Sequence, residues 1–471
     1  PGGVVSNVLC NPVAGEYISL STGDWNASST WARYDGATWI AAVAAPSSTD
    51  DAITIKSGHT VSVNSTENAD QLTINTGGTL TITGAGVLSL NDGAGTDLTV
   101  NGTVILNGAT LTQSSSSAID VNSGGTFTFN EGTFSGNGSL SVLNGGTFNF
   151  AGTGTMNLTG TKSINNAGTV NWTSASSPIN FGGANFTLNN NGNFNISADA
   201  SINNGGNGSS TFAINNNSGA ITKTGTGTSI FNTGVTLTNG FLIPLIVSDG
   251  TLQFNGSSLV NFGTLQIAAG KTLDLVNATT NLNGNTAITG AGIININGGT
   301  FSLGFAVQVP SGITVNFLSG VIQGGNTIRF LSGAVMNWSG GDFRGFAGMI
   351  INSGATLNIT NTVGIKGENL ITNNGTVIWG SGSTIQYGAG GTNAQIQNSG
   401  IFNITGAAGI VDAGGGSNTF YFTNEASGTI NKTSGNSTIN AGTLFQNSGT
   451  VNVTSGVLNV GQFFSPQDGV Y

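Results

Sequence analysis

Apolar and polar residues alternate in short runs along most of this chain. The runs Thr126–Phe129, Thr147–Phe150 and Thr169–Trp172 each read polar, apolar, polar, apolar. A period of two residues is typical of a half-buried β-strand. The pattern therefore predicts short strands in which Phe127 and Phe129 point into a core, while Thr128 between them points outward.

The strands belong to a repeated phrase: Asn, one or two small residues, Gly, Thr, and then apolar, polar, apolar. Successive gaps between its threonines are 24, 23, 21 and 22 residues, at Thr79, Thr103, Thr126, Thr147 and Thr169. A period near 22 is too short for a pair of helices and fits one coil of a three-faced solenoid. We predict an all-β fold, a right-handed parallel β-helix of roughly 18 coils.

Composition supports this prediction. Glycine contributes 77 residues, and charged residues make up only 6% of the chain, against roughly 25% in ordinary globular proteins. The 37% of hydrophobic residues is too high for a disordered polar chain. Glycine before each strand predicts corners with positive φ, and asparagine at the same corners predicts amide ladders from coil to coil.

Three segments differ in composition. Residues 1–22 read as a lead strand or linker, residues 23–66 as a Trp-rich capping segment, and residues 67–471 as the β-helix, continuing beyond this fragment. Trp25, Trp31 and Trp39 are expected to plug the first coil, with a sugar-stacking platform as the alternative. The phrase weakens at 178–250 and 305–350, so any specific binding is expected there. The apolar run 241–247 predicts a buried strand with a corner at Pro244.

Charge and cysteine content limit the partners. The formal charge is −10, from 19 acidic and 9 basic residues, and no basic cluster is present to neutralise phosphates. Nucleic acid and anionic membrane surfaces are therefore disfavoured, and no run approaches the ~20 apolar residues of a membrane span. Cys10 is the one cysteine, so it is either a buried thiol or a link to a second chain.

The strongest candidate for catalysis is a group of charged residues within 40 positions: Arg329, Asp342, Arg344, Lys366 and Glu368. In polysaccharide lyases built on β-helices, carboxylates bind Ca²⁺ and an Arg or Lys removes a proton. Trp338 lies close in sequence and is a candidate for stacking on a sugar ring. Glycosidases need paired carboxylates, and these acids are isolated. A structural salt bridge of Asp342 with Arg344 or Arg329 is the favoured interpretation.

Other candidates are weaker. Asp92 and Asp97 flank a glycine-rich turn that could hold Ca²⁺. His59 is the one histidine, and a catalytic role would need a serine and a carboxylate beside it; a structural role is favoured. Paired threonines at Thr79 and Thr81 keep ice binding open as an alternative.

Two stretches resemble known bacterial proteins. The segment 445–460 resembles the β-strand repeats of very large surface proteins of the adhesin and autotransporter-like β-helix group. The segment with Trp25, Trp31, Asp51 and 58–61 looks like the start of β-helix regions in Bacteroidota cell-surface proteins. Many of those are exported by the type IX secretion system and end in a sorting domain, which is not recognisable here.

The resemblance implies export and a place outside the cell, associated with the outer membrane. We expect a non-enzymatic segment of a surface adhesin or fibre that acts as a rigid rod for attachment or display. Its expected partners are other domains of the same protein, the secretion machinery and surface glycans. The alternative is a protein that binds or degrades polysaccharides. No cofactor is expected apart from the Ca²⁺ considered above.

Overall fold

The computed structural model describes residues 12–50, 52–206, 208–345, 348–388, 393–414, 419–440, 442–464 and 468–470. The chain is all-β, with 57% strand and 1% helix. Parallel coils stack into a β-solenoid of about 17 turns with a period near 23 residues, which confirms the predicted β-helix. Two compact units, Pro1–Ile221 and Thr222–Tyr471, are described separately below.

The strands are short and are numbered in chain order. The strands of the first unit, β1 to β24, are Tyr17–Ser19, Gly23–Asp24, Trp31–Tyr34, Trp39–Ala41, Ile53–Ile55, Thr60–Val63, Thr66–Ala69, Leu72–Ile74, Thr79–Thr83, Val87–Leu90, Leu98–Val100, Thr103–Gln113, Ala118–Val121, Thr126–Gly136, Gly138–Val142, Thr147–Phe150, Met156–Thr159, Lys162–Asn166, Thr169–Trp172, Ile179–Gly182, Phe186–Asn190, Asn193–Ile196, Ser201–Asn204 and Phe212–Asn216. Strand β25, Ala220–Lys223, includes the unit boundary, and a 3-10 turn covers Ser28–Thr30.

The strands of the second unit, β26 to β55, are Thr228–Phe231, Val235–Asn239, Pro244–Val247, Thr251–Asn255, Ser258–Asn261, Thr264–Ile267, Thr272–Val276, Thr279–Leu282, Ala287–Gly290, Ile293–Leu303, Val307–Val309, Thr314–Gly324, Thr327–Phe330, Val335–Trp338, Asp342–Arg344, Gly348–Ile351, Thr356–Ile359, Val363–Lys366, Leu370–Asn373, Thr376–Trp379, Thr384–Tyr387, Ala394–Asn398, Ile401–Ile404, Gly409–Asp412, Phe420–Asn424, Thr429–Lys432, Asn436–Ile439, Thr443–Asn447, Thr450–Val453 and Val457–Val460.

Three parallel sheets form the faces of the first unit. Strands that carry the phrase make the first sheet, in the order β6, β9, β12, β14, β16, β19, β22. The second sheet is β7, β10, β12, β14, β17, β20, β23. The third is β5, β8, β11, β13, β15, β18, β21, β24. The 11-residue strands β12 and β14 contribute to two sheets.

Equivalent positions of the phrase stack in register inside the first unit. Phe127 pairs with Phe148, and Phe129 pairs with Phe150, which in turn pairs with Trp172. All five side chains are buried, and the ring centroids of Phe127 and Phe148 lie 5.2 Å apart. Offset aromatic contacts at this distance add to the stabilisation from burial. The predicted inward stack is confirmed.

The second unit repeats this arrangement. Its first sheet is β26, β29, β32, β35, β37, β39, β42, β45, β48, β51, β54. Its second is β27, β30, β33, β35, β37, β40, β43, β46, β49, β52, β55. The third face begins with β28, β31, β34. It continues as a separate sheet of β36, β38, β41, β44, β47, β50, β53.

Glycine is required at the corners for two different reasons. In the longer corner 122–125, Gly124 has φ +80°, as the phrase predicts. In the shorter corner 166–168, a Cβ on Gly168 would lie 2.4 Å from the carbonyl oxygen of Leu143 on the previous coil. Gly375 has the same relation to the carbonyl oxygen of Asn352, also at 2.4 Å. The prediction of positive φ thus holds for the longer corner, and close approach of backbones explains the shorter one.

Asparagines at the ends of strands on the third face form buried ladders. Asn166 Nδ2 donates to Asn190 Oδ1 at 2.6 Å, and Asn190 Nδ2 donates to Asn216 Oδ1 at 2.7 Å. The second unit has a four-residue ladder with steps of 2.6, 2.7 and 2.8 Å: Asn373, Asn398, Asn424 and Asn447. Because buried amides need partners, these bonds fix the height of each coil relative to the next. The predicted amide ladders are confirmed, and they lie inside the solenoid.

The apolar run 241–247 differs from its prediction. Phe241 and Leu242 are 57% and 69% exposed, and Leu242 has φ +60° in a tight turn. The strand β28 begins only at Pro244, and its Leu245 and Val247 are buried. Proline lacks an N–H and suits the first residue of a strand. The run therefore joins an exposed turn to a short buried strand, and the expectation of one fully buried strand was wrong.

Candidate functional site

Asp342, Arg344 and Lys366 form a charged cluster on the second sheet of the second unit. Arg344 on β40 lies in register with Lys366 on β43, one coil further along. Asp342 Oδ2 accepts hydrogen bonds from Arg344 Nη2 at 2.5 Å, Arg344 Nε at 3.1 Å and Lys366 Nζ at 3.0 Å. A Cβ on Gly364 would lie 2.0 Å from Asp342 Oδ1, so glycine at this position leaves room for the carboxylate.

The other two members of the predicted charged group lie elsewhere. Arg329 is exposed on β38, which belongs to the third face, whereas Asp342 is on the second sheet. Glu368 is exposed in the corner after Gly367. The predicted salt bridge is correct for Arg344 and wrong for Arg329; the second partner of Asp342 is Lys366. Alternation along a strand predicts which side a residue faces, and it does not predict the sheet that the strand joins.

An open cleft adjoins the cluster. It has a volume of about 250 Å³ and is lined by Arg344, Gly345, Lys366 and Gly367. The Arg344 side chain is 49% exposed and that of Lys366 is 22% exposed. Two cations on adjacent coils therefore share one carboxylate beside this cleft.

Two of the three tryptophans of the capping segment are internal. Trp25 and Trp31 are fully buried, with ring centroids 5.0 Å apart. Trp25 Nε1 donates to the carbonyl oxygen of Pro46 at 3.1 Å, and Trp31 Nε1 donates to that of Trp25 at 2.7 Å. These two rings cannot serve as the sugar-stacking platform that was the alternative expectation. Trp39 is partly exposed and packs against Tyr34, with ring centroids 5.3 Å apart.

Trp338 is also in the core. Its side chain is fully buried and stacks on Phe317 with ring centroids 5.9 Å apart. It occupies the second apolar position of its strand, Val335–Trp338, which points inward. The expectation that Trp338 stacks on a bound sugar is therefore wrong, because no face of the ring reaches the surface.

Asp97 is a buried structural carboxylate. Its Oδ1 accepts a hydrogen bond from Gly93 N at 3.1 Å, and its Oδ2 accepts one from Ala118 N at 2.6 Å. Burial, together with the hydrogen bond to Asp97 and its negative charge, raises the pKa of Asp70. Asp92 is exposed. Within the part of the chain that the structure describes, no group of three or more His, Cys, Asp or Glu residues is arranged to hold a metal, so Ca²⁺ stays a prediction.

His59 contacts a serine. Ser19 Oγ lies 2.9 Å from His59 Nδ1, and Ser19 Oγ also accepts a hydrogen bond from Lys56 N at 2.9 Å. Burial, followed by the charge of Lys56, lowers the pKa of His59. Ser19 is fully buried, so its hydroxyl cannot reach a substrate. The contact ties the lead strand β1 to the corner before β6, which is a structural role.

Three buried lysines are the residues that the sequence reasoning missed: Lys162, Lys223 and Lys432. Lys162 Nζ donates to Gln113 Oε1 at 2.6 Å and to the carbonyl oxygen of Ser135 at 3.2 Å, and it lies 3.9 Å from the Phe134 ring centroid. Burial lowers the pKa of Lys162 to about 7. Burial also lowers the pKa of Lys432, which donates to the carbonyl oxygen of Gly406 at 3.0 Å. A usable signal existed, because Lys432 replaces the second apolar residue of the phrase.

The outer faces carry ordered polar columns. In the second unit, Asn316, Asn337 and Asn358 each donate to the asparagine one coil before, at 2.9, 2.8 and 2.8 Å. In the first unit, the phrase threonines align in register from coil to coil. The surface is therefore a repeated array of amides and hydroxyls with few charges. Ice binding by the threonine column stays a prediction.

Comparison with protein-family models finds no match, and comparison with curated protein sequences finds none either. In the described ranges, no helix is long and apolar enough to cross a membrane. Cys10, predicted to be buried or to link two chains, lies outside the described residues.

Proposed function

We propose that this chain is a structural segment of an extracellular surface adhesin or fibre, exported across the cell envelope. The observation that carries the proposal is the continuity of the ladders. In the core of the second unit, amides bond from coil to coil at Asn373, Asn398, Asn424 and Asn447. On an outer face of the same unit, Asn316, Asn337 and Asn358 do the same. Such bonding resists separation of the coils, which suits a segment that holds other domains away from the cell.

A non-enzymatic role is part of this proposal. It is supported by the state of Asp342, whose Oδ2 is shared by Arg344 and Lys366, and by the position of Arg329 on another face. The alternative of a polysaccharide lyase can be tested directly. Purified chain would be incubated with uronate polymers, with and without Ca²⁺, while the absorbance of unsaturated products is followed. We expect no product; turnover that depends on Arg344 or Lys366 would replace the structural proposal with the enzymatic one.

The structural role is tested by display on cells. An epitope tag at each end of the chain would be detected with antibody on intact cells of a producing bacterium, before and after protease treatment of the surface. The chain would then be replaced by an unrelated β-solenoid with the same number of coils. We expect both tags at the surface and equal display after replacement. Tags found only inside the cell, or display lost on replacement, would contradict the proposal.

A further inference from the structure

The cleft beside Asp342 is lined by Arg344 and Lys366, and Asp342 uses only some of the hydrogen-bond donors of these two side chains. Asp342 Oδ2 accepts hydrogen bonds from Nε and Nη2 of Arg344 and from Nζ of Lys366. Both side chains carry further N–H donors. Arg344 remains 49% exposed. Donors of both side chains are therefore available to a ligand from solvent.

Gly345 and Gly367 contribute only backbone atoms to the lining of this cleft. Gly345 and Gly367 occupy equivalent corners of adjacent coils, with φ +91° and +88°. A Cβ on Gly367 would lie 3.1 Å from the carbonyl oxygen of Gly345, so a side chain at this position would be both strained and crowded. Because both of these corner positions are glycine, a flat group can approach their backbone between the two cations in the cleft of about 250 Å³.

We propose that this cleft binds the carboxylate or sulfate group of an acidic saccharide. A guanidinium presents a planar fork that matches an oxyanion in two parallel hydrogen bonds. Lys366 adds a second positive charge one coil, or ~4.8 Å, further along. On the same sheet, Gln386 of β46 lies in register with Gly364 and points outward, so its amide can bond to a sugar hydroxyl. This binding site is independent of the structural role proposed above, because a display segment needs no saccharide site. Failure of one proposal would therefore leave the other unaffected.

Acidic residues oppose the binding of an anionic ligand in this cleft. The chain carries a net charge of −10, so its long-range field repels an acidic ligand. Glu368 is exposed directly after Gly367 and adds a negative charge at the same corner. Binding must therefore come from the short contacts of Arg344 and Lys366. Glu368→Gln should tighten binding by removing the opposing charge.

The experiment is titration calorimetry of the full chain with three probes: a galacturonate hexamer, a sulfated dextran oligomer and a neutral dextran oligomer. We expect heat of binding from the charged probes only, and the preferred one identifies the carboxylate or the sulfate as the ligand group. The double variant Arg344→Met with Lys366→Met should weaken binding at least about tenfold. The matched control Arg329→Met, an exposed cation on another face, should change it less than about twofold.

Several outcomes would overturn this proposal. They are equal binding of the neutral oligomer, no binding of either charged probe, or an unchanged affinity of the double variant. A fourth titration uses an oligo-aspartate peptide, and tighter binding of this peptide than of either charged saccharide would also overturn the proposal. If the double variant fails to fold, Arg344→Lys keeps the charge and removes the fork. That variant should still bind more weakly than the parent, and unchanged affinities of both Arg344→Lys and Glu368→Gln would reject the site.

Discussion

At the scale of single residues, the least expected feature is the burial of lysines in a chain with so few charges. Lys162 has no carboxylate partner among its bonds; it donates to an amide oxygen and a backbone carbonyl, over the Phe134 ring. Desolvation favours the neutral amine, which is why the pKa of Lys162 falls to about 7. In the unfolded chain a lysine has a pKa near 10.4.

This difference predicts how stability depends on pH. Between about pH 7 and 10.4 the unfolded chain binds more protons at Lys162 than the folded chain does, so stability rises with pH. The slope from one such group is at most about 1.4 kcal/mol per pH unit. Urea unfolding at several pH values should show this rise, and Lys162→Met should reduce its slope. The surface control Lys271→Met, paired with Asp249, should leave it unchanged. Parallel curves for the parent and Lys162→Met would contradict the assignment.

The buried amide ladder gives a second prediction at this scale. Asn398 donates to Asn424 Oδ1 and accepts from Asn373 Nδ2, so Asn398→Ala leaves buried partners unsatisfied. We expect a loss of about 2–3 kcal/mol in the free energy of unfolding. Asn337→Ala, on the outer ladder, lets water replace the lost bonds and should cost less than about 1 kcal/mol. Equal losses in denaturant titrations would mean that burial does not distinguish the two ladders.

The sequence pattern predicted the side-chain orientation of residues that follow the phrase better than that of residues that depart from it. Alternation correctly placed Phe127 and Phe129 inside, because a strand has only two sides. It did not place Lys162 inside, because a lysine is expected in solvent unless its strand position overrides its chemistry. Trp338 was a candidate for stacking on a sugar because of its chemistry, although its strand position points inward. In both cases the position within the repeat was the better guide.

At the scale of strands and corners, the two types of corner respond differently to substitution. A Cβ on Gly375 would meet two carbonyl oxygens of the previous coil, whereas Gly382 has φ +76° and open space around it. We expect Gly375→Ala to cost about 2–3 kcal/mol, because the coils must separate. Gly382→Ala should cost about 1 kcal/mol, from backbone conformation alone.

Substitution by asparagine distinguishes crowding at Gly375 from backbone strain at Gly382. Asn adopts positive φ more readily than Ala, so Gly382→Asn should recover part of the loss, and Gly375→Asn should be at least as damaging as Gly375→Ala. Thermal unfolding of the four variants gives the comparison. Recovery by asparagine at Gly375, or none at Gly382, would reject this division of the corners.

The charged cluster shows what strand-level reasoning leaves out. Two-residue spacing placed Asp342 and Arg344 on one side of a strand, and the structure pairs them. Lys366 joins them because its strand lies one coil further along in the same sheet. Predicting this contact requires the length of the intervening coil. That coil begins in the stretch 305–350, where the phrase weakens. The spacing of 22 residues between Arg344 and Lys366 equals the predicted period, so the repeat could have placed these two residues on adjacent coils.

At the scale of the whole molecule, the strand pairings of each coil in a unit join it to the coils before and after it. Solenoids of this kind behave as linear arrays, in which a complete repeat can be removed without changing the contacts of the others. In the second unit, Ile293 pairs with Thr314, which pairs with Val335, and these positions are equivalent in three successive coils. Residues 314–334 are therefore one complete coil.

Deletion of residues 314–334 should leave a folded protein. Ile313 would then connect to Val335, and β35 would pair directly with β39 and β40 in the register that β37 now provides. Deletion of residues 314–324 removes only β37, so every later strand would enter the wrong sheet and the corner glycines and ladder asparagines would lose their partners. Circular dichroism and urea unfolding should show a parent-like β-sheet spectrum and cooperative unfolding for the first deletion. For the second, we expect a loss of both. Equal behaviour of the two deletions would mean that coil register does not control the fold of this unit.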